Sequence, residues 1–385
     1  MRNRWGILAV LFTVRLTMAF QFQSVAAVAP LLQTQFSVGL AEIGFLIGLY
    51  FTPGVVLALP GGAIGQRLGD KHTTLAALLL MLIGSAVMAL GESWGAQVAG
   101  RLIAGGGGVL LNVQMTKMVA DWFAGKEIAT AMAIFVNSWP AGIALSLLTL
   151  PSIGTTYGIY AVDFFVAALV VIGIALAMTY RPPQGVAAAA TVSARPDFRT
   201  TLAVTVAGLI WGLFNVGFAV IFSFGPTMLV ERGWTIAEAG SVISIVLWLA
   251  VISVPMGGFV ADGLKRPQTV LVVGSLVTTA LMLSLAHTDA VIASVIALGL
   301  ISGQPAGPIM SLPARVLQPH TRAIGMGVFY TVYYGVMALG PIIAGAAAKW
   351  TGNTASAFDF GALMVLTCPP LLWAFNAIAT QRKAS

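Results

Sequence analysis

The residues able to do chemistry in this chain are few, and the most telling are two arginines set inside long apolar runs, Arg15 and Arg101. Arg15 stands about ten residues into the first run, hence roughly 15 Å deep at about 1.5 Å of helix rise per residue. An arginine at that depth costs about 2.5 kcal/mol or more unless water or a partner receives it. Its planar fork of donors matches a carboxylate or another flat anion. The competing role is structural, pairing with backbone carbonyls or reaching back to the interface to hold helices together. Arg101 lies about two turns into a later run and poses the same choice. Uncharged polar side chains stand at comparable depths: Gln21, Gln23, Asn112, Gln114, Asn137, Asn215 and Gln304. Each contacts a ligand or serves as interhelical glue. Aromatic rings recur among them, namely Phe22, Trp139, Trp211, Phe218, Tyr330, Tyr333 and Tyr334. Such rings either clamp a small ligand or pack the bundle.

The carboxylates lie elsewhere. Glu42, Glu238, Asp163 and Asp359 fall near one end of the runs, while Asp70, Asp121, Glu127 and Asp262 fall in loops at the other, as do the histidines His72, His287 and His320 in loops of their own. The lone cysteine, Cys368, sits in an apolar stretch beside Pro369 and Pro370. Paired carboxylates at one depth, a metal-ligating cluster and an activated nucleophile are all missing from the pattern, so no enzyme, metal or cofactor is expected. Gly105-Gly106-Gly107-Gly108 lacks the Lys-Ser/Thr ending of a phosphate loop, and close helix packing explains it better. No carboxylate stands in the middle of an apolar run, so a titratable acid at that depth is not expected.

The elements that position these groups follow from composition. The 385 residues are 58% apolar and 8% charged, against about 45–50% and about 25% in a soluble domain. The net charge of +7 is scattered singly between apolar runs, which argues against a nucleic-acid surface. A helix needs about 20 mostly apolar residues to cross a bilayer, and twelve such runs occur, at approximately 6–32, 41–64, 73–91, 95–119, 128–150, 157–179, 201–228, 237–260, 269–286, 290–313, 323–347 and 356–378. The first imitates a secretory signal with a cleavage-like Ala27-Val28-Ala29, but Pro30 after the cut disfavours processing and the segment has a counterpart in mid-chain, so it reads as a transmembrane helix. Cationic residues mark the cytoplasmic side. With both termini inside, that side collects Arg2, Arg4, Arg67, Lys71, Lys117, Lys126, Arg181, Arg195, Arg199, Lys265, Arg266, Arg315, Arg322, Arg382 and Lys383, leaving Arg232 and Lys349 opposite. The expected fold is all-α, twelve transmembrane helices in two pseudo-symmetric six-helix bundles. Residues 1–180 and 201–385 form the bundles, and the proline- and alanine-containing stretch 181–200 forms a cytoplasmic linker.

The halves are related by an internal repeat. A shift of 196 positions pairs Phe22 with Phe218, Pro30 with Pro226, Glu42 with Glu238, Gly44 with Gly240 and Gly61-Gly62 with Gly257-Gly258, and a shift of 194 pairs Ala129 with Ala323, Met132 with Met326 and Phe135 with Phe329. Duplication of this kind marks secondary transporters, whose halves rock about a site near the midplane. Gly62-Ala-Ile-Gly-Gln66-Arg67-Leu-Gly69-Asp70-Lys71 resembles the loop signature of the major facilitator superfamily, G-x-x-x-D-R-x-G-R-R/K. Gly258-Phe-Val-Ala-Asp262-Gly-Leu-Lys265-Arg266 resembles its second copy, and Arg101 with Gly105 resembles the superfamily's R-x-x-x-G.

The resemblance covers essentially the whole chain, and within the superfamily it looks nearest to cyanate-, nitrate- or organic-anion-type porters. It implies that spans one, four, seven and ten line a central cavity. Arg15 would then face the solute path, and the candidate solute contacts are Arg15, Phe22, Gln23, Asn112, Trp139, Trp211, Asn215, Phe218, Gln304, Tyr330 and Tyr333. It implies coupling or gating roles for Arg101, Arg67, Asp70, Asp262, Lys265 and Arg266, with a structural alternative for Arg101 in a hydrogen bond to span one. Gln66 departs from the signature's aspartate, which weakens the first loop's relay and leaves Asp262 as its acid. The expected protein is a monomeric inner-membrane transporter that moves a small anionic solute by alternating access. The alternative is a proton-linked multidrug exporter of amphipathic compounds, disfavoured by the lack of an acid within the first bundle's cavity helices.

Overall fold

The computed structural model describes residues 3–123, 128–181, 195–318 and 321–381. Most of the 181–200 linker, together with Arg2, Lys126, Glu127, His320, Arg382 and Lys383, lies outside the described residues. Seventeen α-helices occur among those described, with no strand. In chain order they are α1 (Arg4–Ala27), α2 (Ala29–Phe36), α3 (Leu40–Leu49), α4 (Thr52–Leu68), α5 (Asp70–Leu90), α6 (Trp94–Trp122), α7 (Ile128–Val136), α8 (Ser138–Tyr157) and α9 (Ile159–Met178). The second half holds α10 (Phe198–Glu231), α11 (Ile236–Leu264), α12 (Pro267–His287), α13 (Val291–Ile301), α14 (Ala306–Ser311) with a 3-10 turn at Pro313–Arg315, α15 (Arg322–Thr351), α16 (Ala355–Leu366) and α17 (Cys368–Gln381).

These helices map onto the twelve apolar runs, five of which are interrupted. Each interruption has a proline within a few residues. Pro30 follows the break at Val28, Pro53 the break before α4, Pro140 the break at Asn137, Pro305 lies between α13 and α14, and Pro369 follows the break at Thr367. Proline lacks the amide proton that would continue the ladder, and its ring crowds the preceding turn. Among the described residues, eleven helical stretches are long and apolar enough to cross a membrane by length and composition. The run at 95–119 is the one missing from them. It folds as the unbroken 29-residue α6, diluted in hydropathy by Arg101, Asn112, Gln114 and Lys117.

The chain divides into two compact units, Met1–Val38 with Leu49–Ala190, and Gly39–Gly48 with Thr191–Ser385. The repeat is legible in how helices pack within them. In the first, α1 packs on α8 and α9, and α5 on α6 and α9; in the second, α10 packs on α15 and α16, and α12 on α13 and α16. These are the same span pairings shifted by six. Turn chemistry repeats as well. Ser37 and Gly233, 196 positions apart, both adopt positive φ, 52° and 91°. Glu42 Oε2 then accepts the Gly39 amide at 3.0 Å, and Glu238 Oε2 the Thr235 amide at 3.0 Å, each carboxylate satisfying an orphan donor at a helix start.

Glycine sets the helix spacing. In the second unit, side chains at Gly44 and Gly48 on α3 would strike the carbonyls of Pro341 and Ala338 on α15, and Lys349 Nζ reaches Glu42 Oε1 at 3.0 Å alongside. In the first unit the four-glycine run is not uniform. A Cβ at Gly105 or Gly108 would run into Tyr50, one at Gly107 into the Ala77 carbonyl and Met81, while one at Gly106 meets nothing nearer than 3.9 Å. Gly107→Ala should therefore destabilise the protein by about 1–3 kcal/mol, the cost of overpacking a tight core. Gly106→Ala should be neutral or stabilising by up to about 1 kcal/mol through helix propensity. Unfolding of the two variants in detergent, measured against the parent, checks this, and equal effects would refute the packing account.

Candidate functional site

Arg15 lies on α1 with 9% of its surface exposed. The break at Asn137 between α7 and α8 leaves carbonyls without helical partners, and Arg15 uses them: Nη1 donates to Phe135 O at 3.0 Å and Val136 O at 3.2 Å, and to Ser138 Oγ at 3.4 Å. Nη2 donates to Asn112 Oδ1 on α6 at 3.1 Å, and the guanidinium carbon stands 4.7 Å from the Phe135 ring centre. The structure thus joins two sequence candidates, Arg15 and the half-buried Asn112, into one polar patch on spans one, four and five.

Arg101 is fully buried on α6. It donates to the carbonyls of Gln21 at 2.6 Å and Phe22 at 2.5 Å on α1, and its guanidinium carbon stacks 4.7 Å from the Tyr50 ring and 5.6 Å from the Phe22 ring. These are the helix-to-helix bonds of its structural alternative. Gln21 continues the network, with Nε2 donating to Met81 O at 2.7 Å and Ser85 Oγ at 2.8 Å. Asp163 on α9 is the residue that sequence reasoning undervalued. It does stand near the end of its span, yet it is only 6% exposed, within electrostatic reach of Arg101 and beside Gln97. A small cavity with room for about one water, ≈ 10 Å³, is lined by Ser24, Gln97 and Asp163. No sequence signal shows that burial, because it comes from other helices, α1, α2, α5 and α6.

Aromatic candidates gather in two places. In the first unit Phe22 lies 5.2 Å from Trp139, 4.9 Å from Phe51 and 5.6 Å from Tyr50, and Gln23 is buried on the same helix. In the second, Trp211 stacks on Tyr333 at 6.2 Å, Tyr333 meets Tyr330 at 6.3 Å, and Asn215 Nδ2 donates to the Trp211 carbonyl at 2.8 Å. Phe218 pairs instead with Phe222, 5.5 Å away, and Gln304 turns back onto Leu300 O at 3.1 Å while its backbone fills the notch at Gly257.

The loop candidates separate too. Asp70 opens α5 and accepts from Gln114 Nε2 at 2.5 Å and Lys117 Nζ at 2.9 Å, with Lys117 also on Asp121 at 2.8 Å. Gln114 reaches Asp70 over Gly65, where any side chain would displace it. Lys265 and Arg266 are exposed at the α11–α12 turn. Arg67 and Asp262 lie on α4 and α11, and their side chains lie outside the described ones.

Fold and composition define a membrane transporter, and the comparison with known families agrees. The model of the Major Facilitator Superfamily matches residues 11–341 and 214–384, and the chain belongs to that superfamily. It is similar to the hexuronate transporter of Bacillus subtilis (strain 168), 22% identical over 331 residues that cover 78% of this chain and 76% of that one. It is similar to the inner membrane transport protein YajR of Escherichia coli (strain K12), 29% identical over 187 residues, 47% of this chain and 39% of that one. The inward-open structure of the xylose transporter XylE from E. coli superposes with a TM-score of 0.80 at 13% identity, covering 97% of this chain and 96% of that one, a likeness of fold. The chain is accordingly a transporter of twelve transmembrane helices in two bundles, not an enzyme.

The buried Arg101 and Asp163 give a test of coupling within the first unit. Removing one charge of a buried pair costs about 3–5 kcal/mol because the other is stranded. Arg101→Gln should destabilise on that scale. Adding Asp163→Asn should recover about 1 kcal/mol or more, a coupling in the range found for residues sharing a network. A double-mutant cycle on unfolding in detergent reads this directly, and strict additivity would exclude the coupling.

Proposed function

We propose that the chain carries a small anionic solute of the sugar-acid type across a bacterial inner membrane by alternating access, as a monomer with both termini in the cytoplasm. The observation that carries the reading is Arg15. Its guanidinium donates to oxygens of Phe135, Val136 and Asn112 in the buried interior of the first unit. A positive charge fixed in a low-dielectric setting favours an anion far more than the same charge in water. The hexuronate transporter likeness points to the same chemistry, a carboxylate on a sugar ring. The fall of lysines and arginines between the spans supports the orientation. Asp70 with Lys117 supplies the gate of the first repeat, and Lys265 and Arg266 sit at the matching turn of the second.

Proteoliposome uptake of labelled glucuronate, against glucose and a lipophilic cation, tests the proposal. Glucuronate should accumulate and glucose should not. Arg15→Gln should lower glucuronate uptake by tenfold or more, since a bond to a charged partner is worth about 1.5–3 kcal/mol. Arg15→Lys should retain more than Arg15→Gln, with folding checked by thermal unfolding because Arg15 also ties α1 to α7 and α8. Uptake of the lipophilic cation unaffected by either substitution would move the assignment to the exporter alternative.

A further inference from the structure

The two repeats solve one corner of the fold in opposite ways. In the first unit, the turn into α5 passes through Gly69 at φ 79° and its acid Asp70 is filled from within by Gln114 and Lys117 of α6. The residue 196 positions on is Lys265, which takes the same left-handed turn at φ 51° although it is not glycine, and the next residue, Arg266, is the N-cap of α12. No acid fills this second corner among the described residues. Instead it encloses a pocket of ≈ 410 Å³ lined by Lys265, Arg266, Gln268, Ser311 and Arg315 with an apolar floor that includes Leu271 and Leu312.

Of the cations there, Arg315 is held in place by its neighbours. Arg315 Nη1 donates to Asn376 Oδ1 at 3.1 Å, its guanidinium lies 5.2 Å from the Phe375 ring, and Asn376 is itself held by two bonds to Gln268 at 3.1 and 3.2 Å. The positive end of the 21-residue α12 opens at the same spot. Next to the turn, α11 shows Phe259 and Leu264 at 77% and 61% exposure, an apolar flank beside the pocket. Three cations line one open pocket, where an anion would relieve their mutual repulsion, and basic pockets between membrane helices hold lipid headgroups.

We infer that the corner formed by Lys265, Arg266 and Arg315 is a phosphate-binding site, filled by the headgroup of an anionic phospholipid or by a soluble phosphate. The fork of Arg315, oriented through Asn376, takes two phosphate oxygens, while Lys265 and Arg266 neutralise the group from the turn. This assignment is independent of the solute carried.

The test uses the full chain in detergent. Phosphatidylglycerol and the zwitterionic phosphatidylcholine are titrated by native mass spectrometry, and sodium pyrophosphate by thermal unfolding. The expected result is selective retention of phosphatidylglycerol. Single changes Lys265→Gln, Arg266→Gln and Arg315→Gln should each weaken it about fivefold and the triple roughly a hundredfold, from about 1 kcal/mol per basic residue. Arg315→Lys, which keeps the charge and loses the fork, should weaken binding less than Arg315→Gln. Stabilisation by pyrophosphate, lost in the triple variant, with no lipid selectivity would identify a soluble phosphate as the occupant. Equal responses of the parent and the singly substituted chains to both probes would overturn the site, and because those substitutions are on exposed side chains the test does not hinge on the triple variant folding.

Discussion

The bonds from Arg101 to the Gln21 and Phe22 carbonyls are the constraint from which the packing of the first unit unfolds. A guanidinium without water must place its donors on protein oxygens, and a planar fork across two successive carbonyls of α1 fixes both the distance and the register of α6 against it. Gln21 is then turned toward Met81 and Ser85 of α5, while Tyr50 lies under the guanidinium and donates its hydroxyl to Gln21 Oε1 at 3.4 Å. Because Tyr50 must reach that position, its backbone and hydroxyl press on α6 at Gly105 and Gly108. Two of the four consecutive glycines are thus consequences of one arginine. Gly107 answers to α5 instead, and at Gly106 a Cβ would meet only ordinary contacts at 3.9 Å and beyond.

Arg15 reuses the same chemistry for a different end. Arg101 meets intact helix, where each carbonyl also serves the helical ladder, whereas Arg15 meets the interruption at Asn137, where carbonyls of the last turn of α7 are available. The interruption and the charge are complementary: the break would be costly beside lipid, and the arginine would be costly beside intact apolar helix. Both arginines are buried, Arg101 fully and Arg15 at 9% exposure with the half-buried Asn112 as a partner.

The coarse fold was legible in the amino-acid sequence because hydropathy and the repeat are one-dimensional signals. The twelve runs, and pairs such as Glu42 with Glu238, follow from counting, and the structure gives the latter pair a cause, one helix start made twice. The matching turn was not legible, since Ser37 and Gly233 share a conformation and not a residue type. Nor were the interruptions, because a window of some 20 residues averages over a break at Val28 or Asn137. Asp163 shows the deeper limit. Its place near a span end was read correctly, but its proximity to Arg101 depends on how α9 and α6 come together around α1. Span position along the chain carries no information about which face of a helix turns inward.

A duplicated fold repeats backbone geometry more faithfully than it repeats chemistry. Gly69 and Lys265 share a left-handed turn, but glycine enters it without cost while lysine pays for the strain of a Cβ in that region. A strained lysine beside Arg266 and opposite Arg315 is a concentration of positive charge that the fold by itself does not require, since the first repeat builds the same corner from an acid and its own neighbours. The same asymmetry runs through the interior. Arg15 has Trp211 at its repeat position, so one half presents a charge where the other presents a ring. Symmetry explains the scaffold, and the departures from symmetry are where recognition of a ligand has to be sought.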